Sequence, residues 1–372
     1  MRITYCIAGT RHSGGMERVL ANKANWLVKH GHEVCIVTTD QCGEKPFFEL
    51  DERIKCYDLA VNYEENNGKS ILNKLLHYPV KQYRHRKRLA SLLRELKSDV
   101  VVSMFCNDAG FLPSIQDGSR KVLEIHFSRY KLLQYGRKGL WALADRWRSA
   151  NYEKVARRFD RFVVLTHEDA GYWGELSNMV VIPNARTFTC DQPGKLDNKE
   201  VIAVGRYNHQ KGYERLIQAW KTVHDALPEW KLRILGDGEL RGEMEELARN
   251  LGLEGSILFG KATTDIKTVY QNASVLALSS RYEGLPMVLL EAQAAGLPIV
   301  SFACKCGPKD VIRDGDNGFL VAEGDIDGLA GKLIQVMMDE ELRKRMGRQA
   351  FEDSRKYDEE SIMQQWMKLF EE

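Results

Sequence analysis

Two glutamates stand eight positions apart in the stretch RYEGLPMVLLEAQAAGLPIV, residues 281–300. Glu283 and Glu291 flank a Gly-Leu-Pro turn and an apolar run, where an unpaired carboxylate would be costly to bury. Pro286 suits the first turn of a helix, which places Glu283 before that helix and Glu291 about a turn and a half inside it. At a rise of about 1.5 Å per residue, the carboxylates would be roughly 8–10 Å apart along the helix axis.

A diphosphate at the N-terminus of that helix would lie between the two acids. Carboxylates bind vicinal hydroxyls well, so one glutamate could hold a sugar and the other a ribose. The alternative is that Glu283 complements the helix dipole and that Glu291 occupies an exposed helical position.

Two cations five positions apart occur in VGRYNHQKGYERLI, residues 204–217. Arg206 and Lys211 lie between a predicted strand and the helix that begins at Gly212. Arginine supplies a fork of donors and lysine a point charge, so the pair could hold a diphosphate beside the helix N-terminus. The alternative is a pair of solvated surface charges. Asp237, in the next strand-to-helix turn, is predicted to cap its helix.

The first half of the chain offers a glycine turn and a histidine at predicted strand ends. Gly14 and Gly15 precede a predicted helix, where backbone amides could approach a ligand or form an ordinary turn. His126 ends the strand KVLEIHF, a position that more often holds a structural histidine than a catalytic one. The first strand is followed by neither G-x-G-x-x-G nor G-x-x-x-x-G-K, which disfavours hydride transfer and ATP hydrolysis.

Short β-branched runs alternate with helical patterns and supply the elements that position these residues. Apolar runs without alternation, such as DVVVSM and RFVVLT, indicate strands of a parallel sheet covered on both faces. Two such series predict an α/β protein with two doubly wound, Rossmann-like domains and a cleft between them. Strands are predicted at 3–8, 33–39, 99–104, 121–127, 161–166, 179–185, 200–206, 230–236, 256–260, 274–280, 298–302 and 318–323.

The polar stretch 186–199 contains proline and glycine and is predicted to be a linker. We therefore expect an N-terminal domain at 1–185 and a C-terminal domain at 200–355. A helix is predicted at 325–350, and a further amphipathic helix within 356–372 is expected to complete the N-terminal domain.

Composition is consistent with two ordinary domains, because 44% of the 372 residues are hydrophobic. Residues 1–190 carry a net charge of +9 and the remainder −7, so the first half favours anionic partners or surfaces. The eight cysteines form no C-x-x-C pair and several lie in apolar runs, which favours packing in a reducing compartment over metal binding. No signal-peptide pattern and no membrane-spanning window is seen, and a cytoplasmic protein is expected.

In their order along the chain, these motifs resemble those of the family 4 retaining glycosyltransferases. The resemblance rests on SGGMERVL near the start, VIPN at 181–184, VGRYNHQKGYERLI, LGDGELR, and EGLPMVLLEAQAAGLPIV with its two glutamates in E-x7-E spacing. It spans nearly the whole chain and implies the GT-B fold, with two facing Rossmann-like domains. It also implies metal-independent sugar transfer with retention of anomeric configuration.

The resemblance also implies roles by position. Arg206 and Lys211 would hold the donor diphosphate, and Glu291 would bind the ribose hydroxyls. Gly15 would close the phosphate site from the first domain, and His126 would lie near the transferred sugar.

Glu283 would contact the donor hexose, helped by the backbone amides of Gly284, Leu285 and Pro286. The departing nucleoside diphosphate gains negative charge, which cations and helix amides can stabilise without magnesium. No metal and no cofactor are therefore expected, with the nucleotide sugar as co-substrate.

The acceptor side of the reaction is suggested by two basic stretches. Residues 69–97 contain nine Lys or Arg against one acid, and residues 129–148 repeat the pattern with Trp141 and Trp147. Basic amphipathic helices of this kind lie on anionic membranes, although a solvated helix face is an alternative. Nucleic-acid binding is disfavoured because no nucleic-acid module accompanies the charge. We expect peripheral contact with the inner membrane surface, serving a lipid-linked glycan acceptor.

The leading hypothesis is a transferase that uses a nucleotide sugar, most simply a UDP-sugar. It would move a hexose or N-acetylhexosamine in the synthesis of a surface polysaccharide, capsule or O-antigen-type glycan. A UDP-sugar epimerase of the same fold is one alternative, and it would need further acid/base groups at the sugar. A non-catalytic nucleotide-sugar-binding module is another, disfavoured because both cations and both glutamates are retained.

Overall fold

The computed structural model describes residues 1–66, 71–134, 139–263 and 265–372. They form two compact units, each built from more than one segment of the chain. The first unit comprises residues 1–165, 170–182 and 363–372, and the second comprises 166–169 and 183–362. The stretch 186–199 has no helix or strand and belongs to the second unit.

Seven parallel strands form the sheet of the first unit within the described residues, in the order β3-β2-β1-β4-β5-β6-β7. The strands are β1 (Arg2–Cys6), β2 (Glu33–Thr38), β3 (Lys55–Asp58), β4 (Val100–Ser103), β5 (Arg120–Glu124), β6 (Arg161–Val164) and β7 (Met179–Val181). All four side chains of β4 are buried, as expected for a strand with both faces covered. The edge strand β3 was not predicted, because its polar and largely exposed residues show neither an apolar run nor a clear alternation.

Helices accompany this sheet, and the first of them shows why the sequence forms it. The helices are α1 (Gly15–Lys29), α2 (Ile71–Leu96), α3 (Lys131–Gln134), α4 (Leu140–Ala156) and α5 (His167–Trp173), and the first three residues of α5 belong to the second unit. In α1, Leu20, Ala24 and Leu27 recur at helical spacing and are fully buried. The helix ends before Gly31, whose φ of +84° suits glycine.

Six parallel strands form the sheet of the second unit within the described residues, in the order β10-β9-β8-β11-β12-β13. The strands are β8 (Glu200–Val204), β9 (Lys231–Leu235), β10 (Ile257–Gly260), β11 (Val275–Leu278), β12 (Ile299–Phe302) and β13 (Gly318–Val321). All six were predicted from the sequence. The strand order reverses between β8 and β11, and ligands of doubly wound sheets bind at the carboxyl ends of the strands where this happens.

The helices of this unit pack on the sheet through large apolar side chains. They are α6 (Tyr213–Ala226), α7 (Arg241–Asn250), α8 (Ile266–Asn272), α9 (Met287–Ala295), α10 (Pro308–Val311), α11 (Ile326–Met338) and α12 (Glu340–Asp353). Trp220 of α6 and Leu333 of α11 belong to one core cluster and are both fully buried. The final helix, α13 (Glu359–Glu371), starts in the second unit and ends in the first.

Two local predictions are wrong. The single helix expected at 325–350 is broken at Asp339, because its carboxylate accepts a hydrogen bond from Leu342 N at 2.9 Å and caps a new helix, α12. Asp237 does not cap α7, which begins after Leu240 without a side-chain cap. Among the described residues, no helix is long and apolar enough to cross a membrane.

Candidate active site

The loops that follow β8 and β11 are joined to each other at the point where the strand order reverses. Ser279 Oγ donates to the carbonyl oxygen of Lys211 at 2.8 Å, and Arg281 N donates to the carbonyl oxygen of Gln210 at 2.8 Å. Gly212 has φ +60°, and a Cβ there would lie 2.6 Å from Ser279 O. The turn therefore requires glycine, and it holds the first loop against the second.

Lys211 and Glu283 form an ion pair across these two loops. Lys211 Nζ lies 2.7 Å from Glu283 Oε1, and their side chains are 15% and 8% exposed. Ser280 Oγ also donates to Oε1 at 2.7 Å, and Gln210 Nε2 donates to Oε2 at 3.2 Å. Glu283 is therefore held by three donors. Lys211 and Glu283, which were expected to have separate roles, are in direct contact.

The N-terminus of α9 lies directly after Glu283 and presents free backbone donors. The N–H groups of Gly284 and Leu285 donate to no group among the described residues. Pro286 is the residue before the first helical residue, Met287. Because proline has no amide hydrogen, the expected contribution of an amide from Pro286 is wrong, and the donors here are those of Gly284, Leu285 and the first turn. Such a helix start favours an anion.

Glycines bring the loops after β8 and β9 into backbone contact. A Cβ at Gly236 would lie 2.0 Å from Gly205 O, and a Cβ at Gly238 would lie 2.5 Å from Tyr207 O. Both glycines have φ +153°, a conformation that side-chain-bearing residues rarely adopt. This contact supports Arg206, which is exposed and has no ion-pair partner among the described residues.

Glu291 is buried inside α9, at 7% exposure, and its two oxygens accept from two hydroxyls. Thr187 Oγ1 donates to Oε1 at 2.9 Å, and Tyr270 OH donates to Oε2 at 2.9 Å. Burial and the Glu291 carboxylate raise the pKa of Tyr270 well above its ordinary value, so the phenol keeps its proton. The alternative of an exposed helical position for Glu291 is therefore wrong.

The two predicted residues of the first unit lie after strands of the first sheet. Gly15 is the first residue of α1, after β1, and the acid Glu17 lies in its first turn. His126 follows β5, with Nε2 3.1 Å from Glu124 Oε1. Because all strands are parallel, both positions are at the carboxyl edge of that sheet. The other predicted residues are together in the second unit: Arg206, Lys211, Glu283, Gly284, Leu285, Pro286 and Glu291.

Four side chains that hold the two glutamates were not predicted. Gln210 and Ser280 are close in sequence to predicted residues, and their amide and hydroxyl groups beside a cation and an acid are the signal that could have found them. Thr187 and Tyr270 precede Glu291 by 104 and 21 residues, and neither belongs to a motif. Within the described part of the chain, no cluster of three or more His, Cys, Asp or Glu could hold a metal ion.

The GT-B glycosyltransferases are built from two α/β units, each with a parallel sheet whose carboxyl edge carries the loops of the site. Solved structures of that class match the chain over nearly its whole length. S. aureus TarM superposes with a TM-score of 0.79 at 18% identity, covering 100% of both chains. WaaG, a glycosyltransferase of lipopolysaccharide biosynthesis, gives 0.75 at 20% identity, covering 99% of both. The predicted GT-B fold is confirmed.

Comparisons of sequence give the family. Residues 13–186 match the family described as Glycosyltransferase Family 4, and residues 187–353 match Glycosyl transferases group 1. A GalNAc-α-(1→4)-GalNAc-α-(1→3)-diNAcBac-PP-undecaprenol α-1,4-N-acetyl-D-galactosaminyltransferase of Campylobacter jejuni is 30% identical, over 100% of this chain and 99% of its own. The amylovoran biosynthesis glycosyltransferase AmsD of Erwinia amylovora is 29% identical, over 98% of each.

The chain therefore belongs to the family 4 glycosyltransferases, as the sequence motifs predicted. It is an enzyme that transfers a sugar, and the matches give no support to the epimerase alternative.

Proposed function

We propose that this glycosyltransferase is retaining and metal-independent and moves a hexose or N-acetylhexosamine from a UDP-sugar to a saccharide. The observation that carries the proposal is the Lys211–Glu283 pair beside the free N–H groups of Gly284 and Leu285. The leaving diphosphate gains negative charge, which a fixed cation and a helix N-terminus stabilise without a metal ion. Structures of the same fold with bound UDP, those of TarM and of Anabaena HepE, support a UDP-sugar donor.

The Lys211–Glu283 pair suits the junction between the diphosphate and the hexose. Lysine has donors for a phosphate oxygen, and the carboxylate has acceptors for sugar hydroxyls. The two charges neutralise each other until the donor arrives, so neither is left unpaired in a site that is largely closed to solvent. The exposed guanidinium of Arg206, which has no ion-pair partner among the described residues, supplies a second cation for the diphosphate.

The remaining site residues keep the roles that the family resemblance implies. Glu291, held by Tyr270 and Thr187, is proposed to bind the ribose. Gly15 is assigned to the phosphates and His126 to the transferred sugar. In a retaining transfer, the acceptor attacks from the face that the diphosphate leaves.

The acceptor is proposed to be a lipid-linked saccharide of a cell-surface glycan. The C. jejuni relative is named for an acceptor on undecaprenol diphosphate, and AmsD for the biosynthesis of the polysaccharide amylovoran. Both align with the chain over nearly their full lengths, which supports an acceptor of the same class.

A donor panel tests the proposed function. The enzyme would be incubated with UDP- and GDP-sugars and a lipid-linked saccharide, and nucleoside diphosphate release and the anomeric configuration of the product would be measured. We expect release from a UDP-sugar, unaffected by EDTA, and a product with the anomeric configuration of the donor. Loss of activity in EDTA would contradict the metal-free mechanism, and interconversion of a UDP-sugar without release would contradict transfer.

Tyr270→Phe tests the role of Glu291. The change removes one of the two hydroxyls that hold the carboxylate, so we expect the donor KM to rise about tenfold with kcat little changed. Tyr207→Phe is a matched control, because that buried hydroxyl donates at 2.8 Å to Ile234 O instead. Equal donor KM values in the two variants would argue against a ribose contact at Glu291.

We further propose that the exposed face of α2 binds anionic membrane, in keeping with a lipid-linked acceptor and a cytoplasmic location. Val80, Tyr83 and Lys87 share this face at helical spacing, with Val80 56% and Tyr83 70% exposed. Arg84 beside them is exposed as well. On α4, Trp147 is 71% exposed. Parts of the two basic stretches lie outside the described residues: residues 69–70 and 135–138, and the side chains of residues 71–76, 134, 140 and Trp141.

Sedimentation with phosphatidylserine-containing vesicles tests this contact. Arg84→Glu/Lys87→Glu is expected to weaken binding at least tenfold, since each basic residue near an anionic surface contributes about 1 kcal/mol. Arg345→Glu/Arg348→Glu is the control, with the same charge change and spacing on the exposed surface of α12 in the second unit. If both variants bind the vesicles equally well, the exposed face of α2 is not the membrane-binding surface.

A further inference from the structure

Three buried side chains of the first unit lie in contact: Lys23 of α1, Glu124 of β5 and His126. Lys23 Nζ donates to both carboxylate oxygens of Glu124, at 2.7 and 2.6 Å. His126 Nε2 lies 3.1 Å from Glu124 Oε1. The side chains of Lys23, Glu124 and His126 are 6%, 1% and 8% exposed, so water takes little part in these contacts.

The ionised pair is held in place even though burial opposes it. Desolvation opposes ionisation of Glu124, but Lys23 and His126 outweigh it and lower the pKa of this carboxyl to about 2. Desolvation lowers the pKa of Lys23, and Glu124 opposes that shift. Two apolar side chains would fill the same space without any desolvation penalty, so packing alone does not account for the pair.

Aromatic rings from two further elements fix the position of Lys23. Its Nζ lies 3.8 Å from the ring centroid of Trp366 on α13 and 5.5 Å from that of Tyr5 on β1. A cation over an aromatic face is attracted to it, most strongly when both are shielded from water. The ammonium group is therefore immobilised, and so is the Glu124 carboxylate that receives two of its hydrogens.

Glu124 is the group that can hold the imidazole of His126. The Nε2 atom is fully buried, and no acceptor among the described residues meets the geometry of a hydrogen bond to it. The separation of 3.1 Å is that of a hydrogen bond, although the N–H direction is oblique to the oxygen.

We infer that Lys23 and Glu124 are positioning residues for His126. Glu124 holds the Nε2–H of the imidazole, which leaves Nδ1 as the nitrogen available to a sugar hydroxyl. Lys23 fixes the carboxylate and neutralises its charge. The inference rests on the proposed role of His126 at the transferred sugar, and it adds two residues that no motif of the chain contains.

A double-mutant cycle tests it. Lys23→Met leaves the carboxylate without its cation, and Glu124→Gln leaves a buried ammonium without its anion. Each is expected to lower kcat about 10- to 100-fold, with the donor KM nearly unchanged, because a misplaced reacting group costs rate. In Lys23→Met/Glu124→Gln no charge is left unpaired, and the glutamine amide oxygen can still accept from Nε2–H. The double variant is therefore expected to recover part of kcat but not all of it, because the amide is no longer fixed by Lys23.

The buried pair Lys121–Asp117 provides a matched control in the same unit. Lys121 is at the start of β5, whereas Glu124 is at its end, and the control side chains are 6% and 0% exposed. Lys121→Met/Asp117→Asn is expected to lower the midpoint of thermal unfolding and to leave kcat per folded molecule unchanged.

A spectroscopic measurement distinguishes a positioning role of Lys23 and Glu124 from a purely stabilising one. Long-range ¹H–¹⁵N correlation of His126 is expected to show the Nε2–H tautomer in the wild-type protein and in the double variant. An Nδ1–H tautomer in the wild type would overturn the inference, as would single variants whose kcat falls no further than that of the control. Full activity of His126→Ala is a different result, because it would overturn the proposed role of His126 itself.

Discussion

Lys211→Met is expected to lower kcat/KM for the donor by about 10²- to 10³-fold, the scale seen when one preorganised stabiliser of transition-state charge is removed. Lys211 is the cation held between the loops after β8 and β11, beside the free N–H groups that begin α9. Methionine keeps much of the side-chain volume but cannot meet the charge that develops on the leaving diphosphate. Steady-state kinetics with the donor identified by the panel would measure the effect.

The fold should tolerate this change, because Glu283 keeps hydrogen bonds from Ser280 and Gln210. Glu283→Gln is expected to lower kcat/KM as well, and the two losses should be less than additive because the residues are in contact. Lys221→Met on α6 is the control, since that lysine pairs with Asp225 at the surface. Near-normal turnover in Lys211→Met would exclude the proposed role of the ion pair.

Gly236→Ala is expected to destabilise the second unit by about 3 kcal/mol or more, through steric conflict and a strained backbone. The added Cβ would lie 2.0 Å from Gly205 O, a backbone atom that cannot turn aside as a side chain could. Gly236 also has φ +153°, which alanine rarely adopts. Because the loop after β8 must move, we expect the donor KM to rise in the molecules that remain folded, as measured by denaturant titration and donor kinetics.

Gly331→Ala is the control, because it replaces a glycine by alanine at a position where the added Cβ makes no contact. Gly331 lies inside α11, and a Cβ there would meet nothing within 4 Å. Alanine favours a helix over glycine, so the control should gain about 0.5–1 kcal/mol of stability. If the Gly236→Ala protein is as stable as the wild type, the stability of the second unit does not depend on the close backbone contact between the loops after β8 and β9.

The sequence predicted the fold well because the strands of parallel sheets are continuous apolar runs separated by helical patterns. The placement of Arg206, Lys211 and Glu283 at one edge of the sheet was predictable as well. They come directly after such apolar runs, and the carboxyl ends of parallel strands lie at the same edge. The break at Asp339 was missed because the apolar pattern continues across it, while a single carboxylate caps the next helix. The strand β3 was missed because an edge strand need not be apolar.

Contacts between residues distant in sequence could not be predicted in the same way. Nothing in the spacing of Lys211 and Glu283 indicates that they are paired at 2.7 Å, although each was predicted to be functional. Lys23 and Glu124 are 101 residues apart, and each reads as an ordinary charged residue. Their pairing follows from the packing of α1 on the sheet, which hydrophobic periodicity alone does not specify.

The path of α13 bears on how the protein is made. Residues 363–372 belong to the first unit, where Trp366 and Phe370 are buried, yet they follow the entire second unit in the chain. During synthesis the second unit can acquire its complete sheet while the first still lacks the Trp366 ring that covers Lys23. The unit synthesised first is thus the last to be completed, and a fragment cut after residue 182 would omit a part of its own core.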